Sequence, residues 1–245
     1  MSRPQIKWIS PDDPPDAFPP VSCAMRAPNG LLAAGGDLAV HRLLYAYEHA
    51  IFPWFDTGQP ILWWSPNPRC ILRPDDLHLA RRFRRAVRNA SFRISFNKVF
   101  EDVIAACGGA RKTGTATWIT REMVSAYSEL HSGGWAHSVE VWRDEQLVGG
   151  LYGVAIGRAF FGESMFSRVN NASKVAVLAL CRQLLEHGFV VLDCQVPSPH
   201  LMSLGAVLMP RAEFAGLLQS VCSPRTRCAA WPEAPFDAEL LVDAR

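Results

Sequence analysis

The feature that most constrains the fold is a change of hydrophobic period between residues 136 and 196. Residues 136–166 have the period of β-strands and are interrupted at RDEQ and IGR, which predicts three antiparallel strands joined by tight turns. NASKVAVLALCRQLLEHG then has the period of an amphipathic helix, and FVVLDCQV is almost continuously apolar, as in a strand buried on both faces. This order predicts a meander, a helix and a central strand in one mixed α+β sheet flanked by helices.

The chain divides into two parts of different composition. Residues 1–69 are rich in Pro, Gly and Trp and contain one helical segment, AVHRLLYAYEHA, so we expect a small N-terminal domain there. Residues 70–245 have longer and more regular elements, and we expect them to form the domain that carries most of the core.

Three helices of the larger domain have predicted start signals. A helix in residues 75–90 is expected to be capped by Asp75 or Asp76, and a second helix to be opened by Thr120. The helix of the central unit is expected to be capped by Asn171 or Ser173.

Charge and cysteine content exclude several classes of protein. A net charge of only +2 means that nucleic-acid contact would require a local basic patch. The seven cysteines are an odd number without a CxxC pair, and we interpret them as reduced thiols in a cytoplasm. The N-terminus has no apolar signal-peptide core and no run of about 18 apolar residues occurs, so we expect neither export nor membrane insertion. The histidines have no paired ligand spacing, so we expect no metal site.

The segment between the third meander strand and the following helix indicates which acyl carrier fits. The order of elements resembles the Gcn5-related N-acetyltransferase (GNAT) fold, in which this loop usually carries Gln/Arg-x-x-Gly-x-Gly/Ala. Its backbone N–H groups hold the pyrophosphate of coenzyme A. Here the segment reads GESMFSRVNNASK, with no glycine after Gly162. The sequence therefore predicts an acetyltransferase-like domain whose acyl carrier is not coenzyme A; a coenzyme A-dependent N-acetyltransferase is the alternative.

A series of motifs supplies a candidate carrier. In chain order they are NGLLAAGGDL, IFPWF, ILWWSPNPR, TWIT, AHSVEVW, LVGGLYG, GESMFS, NASK and LDCQ. Together, from about Phe18 to Phe214, they resemble the leucyl/phenylalanyl-tRNA-protein transferase family. The resemblance implies transfer of Leu or Phe from charged tRNA to the N-terminal α-amine of proteins that begin with Arg or Lys, which tags them for N-end-rule degradation. It also implies a GNAT-like domain with a small N-terminal domain and no cofactor, and we expect a monomer.

The candidate catalytic residues lie at the ends of two predicted strands. Aminoacyl-tRNA is an activated ester, so the enzyme mainly holds a neutral amine in line with the carbonyl and stabilises the oxyanion. An aspartate in an apolar strand is costly to bury unpaired, which favours function over a structural hydrogen bond for Asp193, and strand alternation places Gln195 on its face. By residue type Glu163 could equally be a turn carboxylate. The resemblance places family site residues at Asp193, Gln195 and Glu163, with Asp193 accepting from the incoming ammonium or from Gln195, as a general base or as an orienting group.

The donor-binding residues follow from the resemblance. An apolar aminoacyl side chain needs an apolar pocket, and the family builds one at Leu151, Phe160, Met165, Leu180 and Leu192. Each of these is also typical of an ordinary core residue, and Leu180 stands where relatives can carry a larger aromatic side chain. Trp54 and Trp118 match the aromatic positions that hold the terminal adenosine; the alternative is that they fill the domain interface.

The segment RRFRRAVRN supplies a local basic patch. Its members are Arg81, Arg82, Arg84, Arg85 and Arg88. In a helix all of them except Arg82 fall along one face. Contact with tRNA phosphates and a merely solvated surface are both compatible with this pattern. Arg69, Arg111 and Lys112 are expected to extend the patch.

Two further functions account for part of the sequence. A cysteine hydrolase using Cys194 and His200 is disfavoured, because their spacing does not bring thiol and imidazole together. A tRNA-binding module without catalysis would explain the arginines but would leave the polar residues of the strand ends without a role.

Overall fold

The computed structural model describes residues 6–109, 119–223, 225–227 and 230–243. Its helices are α1 Val40–Glu48, α2 Arg81–Arg88, α3 Phe100–Gly108, α4 Arg121–Ser132, α5 Ala172–Glu186, α6 Pro199–Ser203, α7 Arg211–Val221 and α8 Leu240–Asp243. Its strands are β1 Lys7–Ile9, β2 Leu31–Gly35, β3 Phe52–Pro53, β4 Leu62–Trp64, β5 Arg69–Leu72, β6 Arg93–Phe96, β7 Ala136–Arg143, β8 Gln146–Ile156, β9 Ala159–Ser167, β10 Val191–Gln195, β11 Val207–Met209 and β12 Phe236–Asp237. Across these ranges, no helix combines the length and apolarity needed to cross a bilayer.

A sheet of eight strands lies at the centre, in the order β11-β5-β10-β9-β8-β7-β6-β12. The neighbouring strands pair antiparallel except for β9 and β10, which are parallel because α5 connects them as a crossover. The α+β prediction is therefore confirmed, including the meander β7–β9, the following helix and the buried strand β10. A parallel pair beside an antiparallel meander is the arrangement expected of the acetyltransferase-like fold.

Residues 7–64 contain a smaller sheet of four strands, in the order β1-β2-β4-β3. Helix α1 contacts α4 and α7, so this part packs directly on the larger one. Leu43 and Tyr47 of α1 are fully buried in the same apolar cluster as Tyr152 and Phe214. The two parts thus share a core, and the domain boundary after residue 69 stays a prediction.

Helix starts are confirmed in one case and differ in another. The Thr120 hydroxyl accepts a hydrogen bond from the backbone N–H of Met123 at 3.3 Å, which is the predicted cap of α4. Asn171 occupies the cap position of α5, but its φ of 71° is left-handed rather than extended, and its side chain makes no capping bond. Instead, the Ser167 hydroxyl accepts from the backbone N–H of Ser173 at 3.2 Å.

The predicted start of the helix in residues 75–90 is wrong. Pro74–Asp76 form a separate 3₁₀ turn, and α2 begins only at Arg81. The intervening Leu77 and Leu79 pack against a second cluster of buried apolar residues, separate from the one that contains Leu43 and Tyr47. The backbone N–H of His78 donates to Leu204 O at 2.9 Å. Tertiary packing therefore holds this segment out of the helix that its local pattern favours.

Candidate active site

A small cavity opens where strands β9 and β10 stop pairing. The parallel ladder ends at Phe161 and Asp193, and the next residues of both strands border a cavity of about 110 Å³. This is smaller than the roughly 300 to 1,000 Å³ of pockets for whole small-molecule ligands. Its polar groups include Glu163 and Gln195, and most of its wall is apolar. The cavity suits the apolar side chain of one amino acid, with the carboxyl end of that amino acid near the two polar residues.

Four of the five predicted pocket residues line this cavity. They are Leu151, Met165, Leu180 and Leu192. Phe160 differs from the prediction, because it is fully buried opposite Leu192 in the paired part of the sheet. Its ring packs against Trp231 with the centroids 6.2 Å apart, so it supports the sheet and does not line the cavity.

Glu163 is held by three side chains. Tyr47 donates to its Oε1 at 2.7 Å, Tyr127 to its Oε2 at 2.8 Å, and Gln195 Nε2 to its Oε1 at 3.1 Å. The two tyrosine hydroxyls also hydrogen-bond to each other. Three contacts among two hydroxyls and one carboxyl need three protons, and the tyrosines supply two. The complete set therefore requires a proton on Glu163, which then donates one of the two carboxyl–tyrosine bonds in place of the tyrosine.

The electrostatics of Glu163 agree with this count. Burial raises the pKa of its carboxyl to about 7, hydrogen bonds from the two tyrosines and Gln195 offset part of that rise, and the nearby Asp193 adds to it. Glu163 can therefore gain or lose a proton near neutral pH, as a residue that takes part in proton transfer must.

The raised pKa predicts a pH-dependent stability that Glu163→Gln should abolish. The folded protein binds this proton more tightly than the unfolded chain, so its contribution is full below about pH 4.5 and is lost as pH rises to about 7. The free energy of unfolding of the wild type should fall over this range by on the order of 1 to 3 kcal/mol relative to the variant. Urea unfolding of both proteins at about pH 5 and about pH 8 measures the difference. Parallel pH profiles would contradict the raised pKa.

Asp193 lies beneath the cavity and does not line it. It is completely buried, and its carboxylate accepts from Arg69 Nε at 2.8 Å, from Arg69 Nη2 at 2.7 Å and from the backbone N–H of Gln195 at 2.9 Å. These donors already occupy the carboxylate, so the expected direct contact with an incoming ammonium does not fit this geometry. Arg69 is 1% exposed, so the expectation that it extends the basic patch is wrong.

The position of Gln195 depends on a bulge in β10. Asp193 lies opposite Ile71 of β5, whereas Gln195 lies opposite the adjacent Cys70. The pairing therefore moves two residues along β10 for one residue along β5, which is a β-bulge. Gln195 has a φ of 57°, in the left-handed region that non-glycine residues seldom adopt. Simple alternation along the strand therefore does not extend to Gln195, and the bond from its N–H to Asp193 helps to hold this conformation.

Sequence reasoning missed Tyr47, Tyr127 and Arg69 as members of the site. Both tyrosines are fully buried on helices. A buried tyrosine hydroxyl usually needs a partner, and that signal could have singled them out from the other apolar-face positions. The partner of Arg69 could not be found, because it lies 124 residues away in the chain.

A second, larger groove adjoins the cavity. It has a volume of about 960 Å³ and lies between α3, the β7–β8 hairpin and the end of β9. Asp102, Trp142 and Arg168 are in its wall, and Met165 lines both the groove and the cavity. Its size allows a nucleotide to lie next to the smaller cavity.

The predicted adenosine-binding tryptophans are only partly covered by the structure. Trp118 lies outside the described residues, as do Arg111 and Lys112. Trp54 is 43% exposed, and its ring centroid lies 5.8 Å from that of Trp64. An exposed indole supported by a second indole can stack on a base.

The basic patch lies on α2. Phe83 and Val87 bury one side of this helix, and the exposed arginines are Arg81, Arg82, Arg85 and Arg88. Arg84, which was predicted to lie on the charged face, is partly buried, and its Nη1 lies 3.5 Å from Val242 O. Packing against the C-terminal residues thus removes one arginine from the predicted face and leaves three on it, while Arg82, which was predicted to lie off that face, is also exposed.

The start of α5 differs from a pyrophosphate cradle. The backbone N–H of Ala172 bonds to Val169 O at 3.3 Å, and that of Ser173 to the Ser167 hydroxyl. Ala172 is fully buried against β8, where a Cβ added to Gly149 would lie 2.5 Å from the Ala172 Cβ. Two of the N–H groups that would hold an anion are therefore already bonded.

The residues that the structure describes contain no cluster of three or more His, Cys, Asp or Glu able to hold a metal ion. Free thiols are present at Cys23, Cys70, Cys181, Cys194 and Cys222.

Comparisons with known proteins give consistent matches. The family model described as leucyl/phenylalanyl-tRNA protein transferase matches residues 71–219, and the model of the N-terminal domain of that transferase matches residues 36–67. A leucyl/phenylalanyl-tRNA–protein transferase of Ectopseudomonas mendocina is 56% identical over 214 residues, 87% of this chain and 94% of that protein. Another of Hahella chejuensis is 54% identical over 216 residues, 88% of this chain and 91% of that protein. A solved GCN5-related N-acetyltransferase of Kribbella flavida has a TM-score of 0.38 and 14% identity, covering 68% of this chain and 59% of that one.

Proposed function

The chain belongs to the leucyl/phenylalanyl-tRNA protein transferase family, an enzyme family of aminoacyltransferases, and from this premise we propose its substrates and the residues that act on them. It moves Leu or Phe from charged tRNA to the α-amine of proteins that begin with Arg or Lys. The observation that carries the proposal is the small apolar cavity with Glu163 and Gln195 in its wall. Its volume and lining suit the side chain of the transferred residue, with the ester beside the two polar groups.

Gln195 directs the attacking amine. Its Nε2 is bonded to Glu163, and among the described residues no donor is bonded to its Oε1. That oxygen can accept an N–H of the incoming α-amine and turn the nitrogen lone pair toward the ester carbonyl. The N–C bond forms, the bond from the carbonyl carbon to the ribose oxygen breaks, and the proton lost by the amine ends on that oxygen. Glu163, whose pKa is about 7, exchanges a proton near neutral pH and can relay this one.

In its deprotonated form, which a pKa of about 7 makes accessible at neutral pH, Glu163 also attracts the cationic acceptor. Asp193 is compensated by Arg69, which leaves Glu163 as the carboxylate that interacts with an N-terminal Arg or Lys. Asp193 instead orients Gln195. The product begins with Leu or Phe, which tags it for N-end-rule degradation in the cytoplasm, where charged tRNA is made. One chain supplies the cavity and both polar residues, so the enzyme works as a monomer.

The tRNA binds through its 3′ end and its backbone. The terminal nucleotide lies in the larger groove beside the cavity, because Met165 lines both. Trp118 and the exposed Trp54, which is not in the wall of that groove, are the candidates to stack on its base. The exposed face of α2 contacts phosphates of the acceptor arm. Phosphate contact does not depend on base sequence, as suits an enzyme that accepts tRNAs for two amino acids.

The α2 face should determine the salt dependence of tRNA binding. Combined replacement of Arg81, Arg82 and Arg85 by Gln should weaken binding and lower the slope of log affinity against log salt concentration by about 2. The matched control is the triple replacement of Arg26, Arg93 and Arg158 by Gln, which makes the same change of net charge. Equal slopes for both triple variants in filter-binding titrations would reject the assignment.

The cavity should determine which aminoacyl group is accepted. Leu180→Phe adds volume to the wall and should lower kcat/KM for Phe-tRNA by about tenfold more than for Leu-tRNA. Leu184→Phe, one turn along α5 and outside the cavity wall, changes a buried leucine without narrowing the cavity and serves as the control. An unchanged ratio of the two donors in Leu180→Phe would place the aminoacyl side chain elsewhere.

The proposed reaction is tested by direct transfer. Purified protein is mixed with radiolabelled Leu-tRNA or Phe-tRNA and with acceptors that differ only in their first residue: Arg, Lys or Ala. Label should appear on the Arg and Lys acceptors and should be minor on the Ala acceptor. Label on all three would reject the acceptor assignment, and label on none would reject the reaction.

The alternative functions are disfavoured by specific contacts. A coenzyme A-dependent N-acetyltransferase would need the anion site at the start of α5, where N–H groups are already bonded. A cysteine hydrolase would need a thiolate, and the pKa of Cys194 is raised well above its ordinary value by its hydrogen bond with Cys70 and by burial.

A further inference from the structure

Arg69 is a buried cation at the base of the site. It is 1% exposed, and its Nε and Nη2 donate to the two oxygens of Asp193 at 2.8 and 2.7 Å. This two-point contact uses the planar fork of the guanidinium and fixes the carboxylate in direction as well as in position.

The remaining contacts of Arg69 come from other parts of the chain. Its Nη1 donates to Ala50 O, just after the end of α1, at 3.1 Å. The guanidinium carbon lies 4.7 Å from the ring centroid of Phe52 and 5.1 Å from that of Phe214. The cation is therefore held between the N-terminal part and α7, and it has little freedom to follow a displaced carboxylate.

Asp193 connects Arg69 to Gln195 through hydrogen bonds. Its Oδ1 accepts from Arg69 Nε and from the backbone N–H of Gln195, so one oxygen joins the cation to the bulge. Gln195 is in the left-handed region there, and its side chain reaches Glu163 from that backbone conformation. A displaced Asp193 would release the backbone of Gln195 toward ordinary strand values and move its carboxamide.

A contribution to stability alone does not explain why a buried Arg69–Asp193 ion pair is present. Taking two charges out of water costs free energy that their attraction barely offsets, and apolar residues of similar volume are often as stabilising. A bidentate pair at this place does set geometry, which an apolar pair cannot do.

We propose that Arg69 is a positioning residue of the transfer reaction: through Asp193 it holds Gln195 in the bulged conformation that aims its carboxamide at the attacking amine. The inference rests on the proposed role of Gln195. Helix α1 then meets the site twice, through the Tyr47 hydroxyl on Glu163 and, just past its end, through Ala50 O on Arg69. The N-terminal part thus supplies hydrogen bonds to two residues of the site.

The test compares Arg69→Lys with Arg42→Lys. Arg42 is also buried, at 2% exposure, and donates to both oxygens of Asp37 and to backbone carbonyls, but none of its partners belongs to the site. Lysine keeps the charge and loses the fork in both variants. Arg69→Lys should lower kcat for transfer at least about tenfold with KM for Leu-tRNA within about twofold of the wild type. Arg42→Lys should lose similar thermal stability and keep kcat.

Several results would overturn the proposal. One is a folded Arg69→Lys protein with the wild-type kcat, and another is equal loss of kcat in both variants. If Arg69→Lys does not fold, Arg69→Met combined with Asp193→Leu removes both charges and leaves none unpaired. That double variant should bind Leu-tRNA and lose kcat by at least about tenfold; an unchanged kcat would reject the positioning role. Failure of the proposed function is separate, since it would show as no transfer by the wild type.

Discussion

Replacement of Gln195 by alanine is expected to lower kcat for aminoacyl transfer by about 100-fold or more, while tRNA affinity stays within about twofold of the wild type. The carboxamide is the group that can meet the amine in the cavity wall, whereas the proposed tRNA contacts are on α2 and in the larger groove. A residue used only in the transition state lowers kcat and kcat/KM equally.

The control for this experiment is Gln219→Ala, which removes an exposed glutamine on α7 away from the cavity. It should keep the wild-type kcat. Single-turnover transfer with preformed Leu-tRNA complexes separates chemistry from binding. A Gln195→Ala protein that transfers at the wild-type rate would remove Gln195 from the mechanism, and a protein that loses tRNA binding would make its role one of binding.

Asp193→Ala is expected to cost both stability and activity. The variant leaves Arg69 as a buried cation without its carboxylate, which destabilises folded proteins by roughly 3 to 5 kcal/mol. The backbone N–H of Gln195 also loses its acceptor, so kcat should fall as it does for Gln195→Ala. Urea unfolding and single-turnover transfer measure the two effects.

Asp193→Asn distinguishes positioning from general-base catalysis. The amide keeps an oxygen that can accept from the N–H of Gln195, but it cannot take a proton from the amine at neutral pH. Positioning predicts that Asn retains more transfer activity than Ala. Equal inactivity of the two variants, with Asn folded, would restore Asp193 as the base.

Most of the architecture could be predicted from the sequence, because local patterns and turns specify it. The meander β7–β9, helix α5 and strand β10 follow from period alone, and Thr120 caps α4 as predicted. The start of α2 was mispredicted, since contacts with Leu204 and the second apolar cluster hold Leu77–Leu79 out of the helix. Such contacts join segments more than 100 residues apart and leave no local signal.

The site was predictable in its residue types and not in its connections. The family resemblance assigned Glu163 and Gln195 to the site, and the structure places both in one cavity wall. The same argument singled out Asp193, but its partner Arg69 lies on another strand, and the bulge beside it breaks the two-residue period. Because Asp193 is buried, its proposed role is to orient Gln195 and not to contact the incoming amine directly.

The assignment on which the proposed reaction depends is that the cavity between β9 and β10 holds the aminoacyl side chain of the donor. Its most direct test is a crystal structure with adenosine that carries phenylalanine on the ribose 3′ position through an amide, which resists transfer. We expect the phenyl ring to lie against Leu180 and Leu192, with the carbonyl carbon beside Gln195. A phenylalanyl group bound elsewhere, with this cavity unchanged, would contradict it.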